Sequence, residues 1–352
     1  MNKFKAFLKR KDIIFSAKRY GIDAMSAMAQ GLFCSQLIGT IINTLGTQFG
    51  LPFLNEIGGF ATSMSGPAMA CAIGYALKAP PLVLYSLLAV GASANSFGGA
   101  GGPLAVLFIA IIAAELGKAV SKETRIDLIV TPFVTIFSGV ALSALTAPYI
   151  GAAANAVGQF IKDATVLHPF LMGIVVSVLV GIALTLPISS AAICRVFLLT
   201  GLAGGAAVAG CCAQMVGFAV MSFRENGVGG LLSQGIGTSM LQMGNIIKNP
   251  KIWIPPILTS AITGPLATCV FRLEMNGEAI ASGMGTCGLV GQIGVYTGWV
   301  NDIAAGTKTA ITAMDWAGLI LICFVLPAVL TWGFGLILRK LGWIKENDLK
   351  LD

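Results

Sequence analysis

WAGLILICFVLPAVLTWGFGLIL, residues 316–338, holds no charged side chain and is bounded by Asp315 before it and Arg339-Lys340 after it. A bilayer core about 30 Å thick is crossed by roughly 20 apolar residues of helix. Only a segment that satisfies its own backbone hydrogen bonds can rest in lipid, and a helix does so. Working outward, apolar runs recur at 24–45, 50–76, 80–94, 103–116, 129–150, 170–186, 191–221 and 252–271. The composition agrees: 56% of the chain is hydrophobic and 11% charged, with a mean hydropathy of +0.86. A soluble domain carries roughly 25% charge, so there is too little here for a polar shell. The 44 glycines suit close helix packing in lipid. The expected fold is an all-α integral membrane protein with about ten spans.

Lys and Arg set the orientation. Lys3, Lys5, Lys9, Arg10, Lys11, Lys18 and Arg19 crowd residues 1–23, and Arg339, Lys340, Lys345 and Lys350 follow the last span. Cytoplasmic flanks are enriched in these residues. The division expected is a basic amphipathic cytoplasmic segment at 1–23, a transmembrane domain at 24–338 and a cytoplasmic tail at 339–352, both termini lying inside. The formal net charge of +7 then belongs to membrane-flanking faces and needs no nucleic-acid partner.

Several function classes drop out. The eight cysteines form no CxxC pair and lie in apolar or Gly-rich segments, as buried thiols do. His168 is the single histidine, so a histidine-built metal site is not expected. No P-loop or HExxH motif occurs. Residues 283–288 fit GxGxxG literally, but a dinucleotide site needs a βαβ setting. No enzyme, cofactor or metal is expected.

Three stretches are too polar and Gly-rich for ordinary lipid-facing helix: ANSFGGAGGP at 94–103, SQGIGTSM at 233–240 running on to Gln242 and Asn245, and GMGTCGLVGQ at 283–292. Broken backbone at membrane depth survives only inside protein or beside water. Such interruptions point to transporter binding sites. GIGTS at 235–239 and GMGTC at 283–287 also resemble each other. Asn95, Ser96, Thr238, Gln242, Asn245, Thr263, Thr286 and Gln292 are the candidate neutral contacts to a solute. Asn55 and Glu56 add a polar or proton-linked contact, since a charge inside an apolar stretch is costly. Glu115 and Lys118 are expected to reach the interface, and Glu274, Glu278 and Asp315 read as hydrated loop.

NIIKNPKIWIPPIL at 245–258, AITGPLAT at 261–268 and GMGTCGLVGQIG at 283–294 resemble the membrane-embedded IIC-like family of the sugar phosphotransferase system, in its perfringolysin regulator-like branch. The resemblance implies a homodimer in the bacterial cell membrane, two re-entrant hairpins, elevator-type motion and phosphocarrier subunits acting in trans. It also implies a sugar-binding Glu in a Gly-x-Thr-Glu-Pro motif. The nearest match, 262–265, places Gly264 where that Glu would stand. The first reading is an elevator-type transporter of a small polar solute: a sugar, polyol or small organic acid. The alternative is a membrane sensor or regulator of gene expression that keeps the transporter fold, and a channel is the third.

Overall fold

The computed structural model describes residues 3–351; positions 1, 2 and 352, at the outer ends of the two expected flanking segments, lie outside it. The described residues are helical and hold no strand, only an isolated bridge between Gly201 and Met275. Six helical stretches are long and apolar enough to cross a membrane: Lys18–Phe49, Pro81–Val120, Asp127–Ala164, Gly201–Met221, Pro250–Val270 and Ala313–Lys340. Pro169–Thr185 is a shorter apolar helix. The chain divides into two compact units, Met1–Ala153 and Ala154–Asp352.

The first unit contains α1 (Lys3–Arg10), α2 (Ala24–Leu32), α3 (Ile38–Phe49), α4 (Pro52–Ser63), α5 (Ser65–Ala76), α6 (Pro81–Gly98), α7 (Gly102–Val120) and the start of α8 (Asp127–Ala164). Small residues set its crossings. A Cβ on Gly66 would strike the Gly91 carbonyl, and one on Gly91 would strike the Gly66 carbonyl, so α5 and α6 touch backbone to backbone. The first Gly-rich stretch is the turn between α6 and α7. Gly117 meets Val83 and Gly98 meets Ala105, so Pro81–Val120 is two helices lying side by side.

A charged clamp joins the N-terminal segment to this unit. Arg19 donates to Asp12 Oδ2 at 2.6 Å and to the Leu77 carbonyl. Lys118 donates to the same carbonyl at 3.0 Å and to the Asp12 carbonyl at 2.8 Å, and pairs with Glu115 at 3.1 Å. Leu77 caps the C-terminal end of α5, where carbonyls lack helical partners and cations are favoured. Lys118 was expected to reach the interface, yet it is 2% exposed, because the folded N-terminal segment covers it. Glu123 pairs with Arg10 and Lys11 farther out.

The second unit is built around α11 (Gly201–Met221), whose Gly, Ala and Cys residues from Gly204 onward are all buried. It packs against α9 (Pro169–Thr185), α14 (Ile254–Pro265) and α18 (Leu326–Lys340). The approach is too close for side chains. A Cβ on Gly210 would overlap the Ser177 carbonyl of α9, and one on Gly264 would overlap the Gly173 carbonyl and Ser177 Oγ. The remaining helices are α10 (Ser190–Val196), α12 (Phe223–Leu232), α13 (Met243–Lys248), α15 (Ala279–Ser282), α16 (Val290–Ala304) and α17 (Ala313–Ile320).

The segment after α18 folds back onto this unit. Asn226 Nδ2 and Gln242 Nε2 both donate to the Leu349 carbonyl, at 2.8 and 2.9 Å. Asn245 Nδ2 donates to the Lys350 carbonyl at 2.8 Å, and Asn249 Nδ2 to the Trp343 carbonyl at 2.9 Å. The Leu351 N–H donates to Asn226 Oδ1 at 2.8 Å. Leu349 is fully buried and Ile344 nearly so.

Three outcomes are expected. Gly264→Val should cost about 1–3 kcal/mol or more through overpacking, read as a lower melting temperature in detergent; an unchanged value would contradict the backbone contact. Deleting residues 343–352 should also lower the melting temperature, since burying one Leu side chain alone contributes about 1.5–3 kcal/mol, and protease should then cut within 223–249. The third concerns pH. The hydrogen bond from Arg19 holds the Asp12 carboxyl below its ordinary value. A depressed carboxyl contributes stability above its unfolded value and loses it as pH falls through the folded one. Limited proteolysis near residue 12 should therefore quicken only below the usual carboxylate range, and Asp12→Asn should remove that dependence.

Candidate solute site

Two interrupted helical segments meet beside the middle of α11. In the first, α12 runs into a wide turn at Ser233–Gly237, the chain becomes extended at Thr238, and a short 3-10 turn at Ser239–Gln242 leads into α13. Thr238 makes that break orderly, its Oγ1 accepting from the Met240 N–H at 3.1 Å. In the second, α15 passes through Gly283–Thr286 and a 3-10 turn at Cys287–Leu289 into α16. Gly285 has φ +54, and a Cβ there would strike Cys211 and Cys212 of α11. Only glycine combines that backbone conformation with that approach.

The two sequence-similar turns are in direct contact. Thr286 Oγ1 donates to the Gly235 carbonyl and lies 3.6 Å from Met215 Sδ. Gln292, at the start of α16, reaches α11 through Nε2, 3.3 Å from Cys212 Sγ. Its Oε1 is buried and has no hydrogen-bond partner among the described residues.

Gln214 of α11 completes the junction. Its Oε1 accepts from Trp253 Nε1 at 2.9 Å and from Thr185 Oγ1 at 3.3 Å, and Thr185 shares a 2.8 Å hydrogen bond with Ser239. Gln214 Nε2 is fully buried and has no partner among the described residues. Buried polar atoms are nearly always paired, and an unpaired one costs about 1–3 kcal/mol. Two orphaned amide atoms, one on α11 and one on the segment that packs against it at Cys212, therefore call for an explanation. Sequence reasoning passed over Gln214. The signal was there, since it is the one amide side chain in Gly201–Met221.

The other candidates lie elsewhere. Gln242 donates to Gln234 Oε1 at 2.8 Å as well as to the tail, and Asn245 donates to Gln242 Oε1 at 2.8 Å, so their amide donors are occupied by protein. Thr263 donates to the Thr259 carbonyl one turn back in α14. In the first unit, Asn55 and Glu56 are exposed on α4, Asn55 Oδ1 lying against Gly46. Asn95 Nδ2 donates to Ser65 Oγ at 3.3 Å, and Ser96 is exposed. No hydrogen bond between described residues joins the Asn55 pair to the Asn95 pair. Gly264, where the resemblance would place a Glu, is sealed between α14 and α9 with no room for a side chain.

Comparison with known proteins adds one finding. The family model for the phosphotransferase system EIIC component matches residues 22–351, nearly the whole chain. No curated protein and no solved structure matches it. EIIC components are the membrane permeases of sugar transport and are not themselves catalysts. A match of that extent, on a helical chain with spans long enough for a bilayer, means that the chain belongs to the phosphotransferase system EIIC family.

Proposed function

We propose that the chain carries a neutral polyhydroxylated solute, a sugar or polyol, and that the solute is held where the two Gly-rich turns meet beside Gln214. The observation that carries this reading is the pair of unpaired buried amide atoms, Gln214 Nε2 and Gln292 Oε1. One is a donor and the other an acceptor, and the several hydroxyls of a sugar supply both kinds of partner. The junction contains hydroxyls, amides and thiols but no carboxylate or cation among the residues named, which suits an uncharged ligand. The Gly264 position leaves no place for the carboxylate that the family motif would supply, so recognition rests on neutral groups.

The motion follows from the same parts. Broken helices in two similar segments, meeting at one point, are the arrangement transporters use at the bilayer midplane. In this reading they are re-entrant hairpins within a fold of about ten spans, and alternating access is an elevator movement of the second unit's core in a homodimer. Asn55, Glu56, Asn95 and Ser96 then serve the first unit rather than the solute. Thr238, Thr263 and Thr286 shape the turns, with Thr286 closest to the ligand. Gln242 and Asn245 hold the tail, which lies in the cytoplasm with the N-terminus. Any phosphoryl donor arrives in trans on phosphocarrier subunits, since nothing at the junction supplies one.

Stability and affinity should part company at Gln292. Gln292→Leu removes an unpaired buried oxygen, so the melting temperature should hold or rise. A lost hydrogen bond of about 0.5–1.5 kcal/mol should weaken solute affinity up to about tenfold. The check is isothermal titration with the transported sugar beside a thermal melt. Unchanged affinity at both Gln292→Leu and Gln214→Leu would remove the junction from the solute's path. A protein that moves no sugar in proteoliposomes, while its deletion alters expression of other genes, would favour the regulatory alternative.

A further inference from the structure

The last span separates two very different ends of the second unit. Ala313–Lys340 is 28 residues long, about 42 Å of helix at 1.5 Å per residue, enough to cross a bilayer. The amide-bound tail follows its C-terminal end. At its N-terminal end lies a cavity of about 490 Å³, lined by Arg272, Glu274, Asn276, Trp299, Asp302 and Lys308 among others. The tail end carries Arg339, Lys340, Lys345 and Lys350, so the charge rule for membrane flanks puts it in the cytoplasm. The cavity then opens on the outer face.

Its chemistry is specific. Asn276 Nδ2 is shared between Glu274 Oε2 at 3.2 Å and Asp302 Oδ2 at 2.9 Å, which fixes two carboxylates side by side. Lys308 donates to Asp315 at 2.8 Å and stands 6.0 Å from the Trp299 ring centroid. Trp299 itself meets Trp316 edge to face at 5.6 Å and is 3% exposed, so it forms the packed floor under the basin. Arg272 is exposed, makes no ion pair among the described residues, and has φ +46. A non-glycine residue in that region is strained, and such strain gathers at ligand sites.

We propose that this basin is an outer docking vestibule for a neutral polyhydroxylated solute, occupied before the solute reaches the turns. The inference rests on the transport reading. The volume falls within the usual range for small-molecule sites. Fixed carboxylates accept from hydroxyls, and the free guanidinium donates to them. With Lys308 paired to Asp315, an anionic ligand would meet two carboxylates, Glu274 and Asp302, against the one cation Arg272. A metal ion would need a cluster of ligating side chains, and no group of three or more His, Cys, Asp or Glu that could hold one occurs among the described residues. The basin also touches both legs of the second turn. Gly298 packs against the Asn276 backbone and Gly277 against Gly294, so a ligand bridging Asn276 and Asp302 sits at the root of the segment that carries Thr286 and Gln292.

The test uses the full chain. Initial uptake of radiolabelled glucose, mannitol and lactose is measured in cells expressing wild type, Asp302→Asn or Glu274→Gln, with fluorescence titration of the purified proteins by the same sugars. Asp302→Asn keeps an acceptor for Asn276, and Glu274 is exposed, so at least one variant should fold, as a thermal melt will show. The expected result is a half-saturation concentration raised about tenfold for a transported sugar, with the maximal rate unchanged. Wild-type uptake with no change in half-saturation in either variant would overturn the vestibule and leave the transport reading intact. A loss of maximal rate alone would also overturn it, placing these residues in the transport step. A wild type that neither takes up nor binds any of the three sugars would overturn both.

Discussion

The second unit depends on the backbone-to-backbone crossing of α11 with α9, and of α9 with α14. Gly210 lies on the Ser177 carbonyl, and Gly264 lies on the Gly173 carbonyl. In lipid there is little hydrophobic gain from bringing helices together, so contact has to come from close packing and interhelical hydrogen bonds. Glycine permits the packing, and Ser177 and Ser260 add hydrogen bonds at the same crossing. A side chain at any of these positions would push the helices apart and with them the frame on which the two interrupted segments rest.

That frame explains the position of the polar groups. An all-apolar α11 would pack equally well, yet it carries Gln214 at the level where the two turns arrive. Thr185, itself bonded to Ser239, and Trp253 satisfy the oxygen and leave the nitrogen unpaired. The cost of keeping an amide half-satisfied in an apolar interior is of the same order as a ligand hydrogen bond. A transport site that binds and releases its solute has reason to hold such atoms in reserve, since complete satisfaction by protein would leave nothing to exchange with a hydroxyl.

Much of this was legible in the sequence, and the remainder has identifiable causes. The apolar runs fixed the membrane class because lipid constrains every residue of a span in the same way. The likeness of 235–239 to 283–287 pointed to two turns that do meet, through Thr286 and Gly235. Gln214 went unnoticed because hydropathy averages over a window and one amide barely moves it. The grip of Asn226, Gln242, Asn245 and Asn249 on the tail left no local pattern, because most of its bonds join residues about a hundred positions apart. Glu274 and Asp315 read as hydrated loop, and only the fold brings them together with Asp302, Lys308 and Trp299 around one cavity.

The most direct test of the central claim is a structure determined with a transported sugar bound. The expected result is density for the sugar between the two Gly-rich turns, within hydrogen-bond distance of Gln214 Nε2 and Gln292 Oε1. Density at another place, with both amide atoms still unpaired, would contradict it.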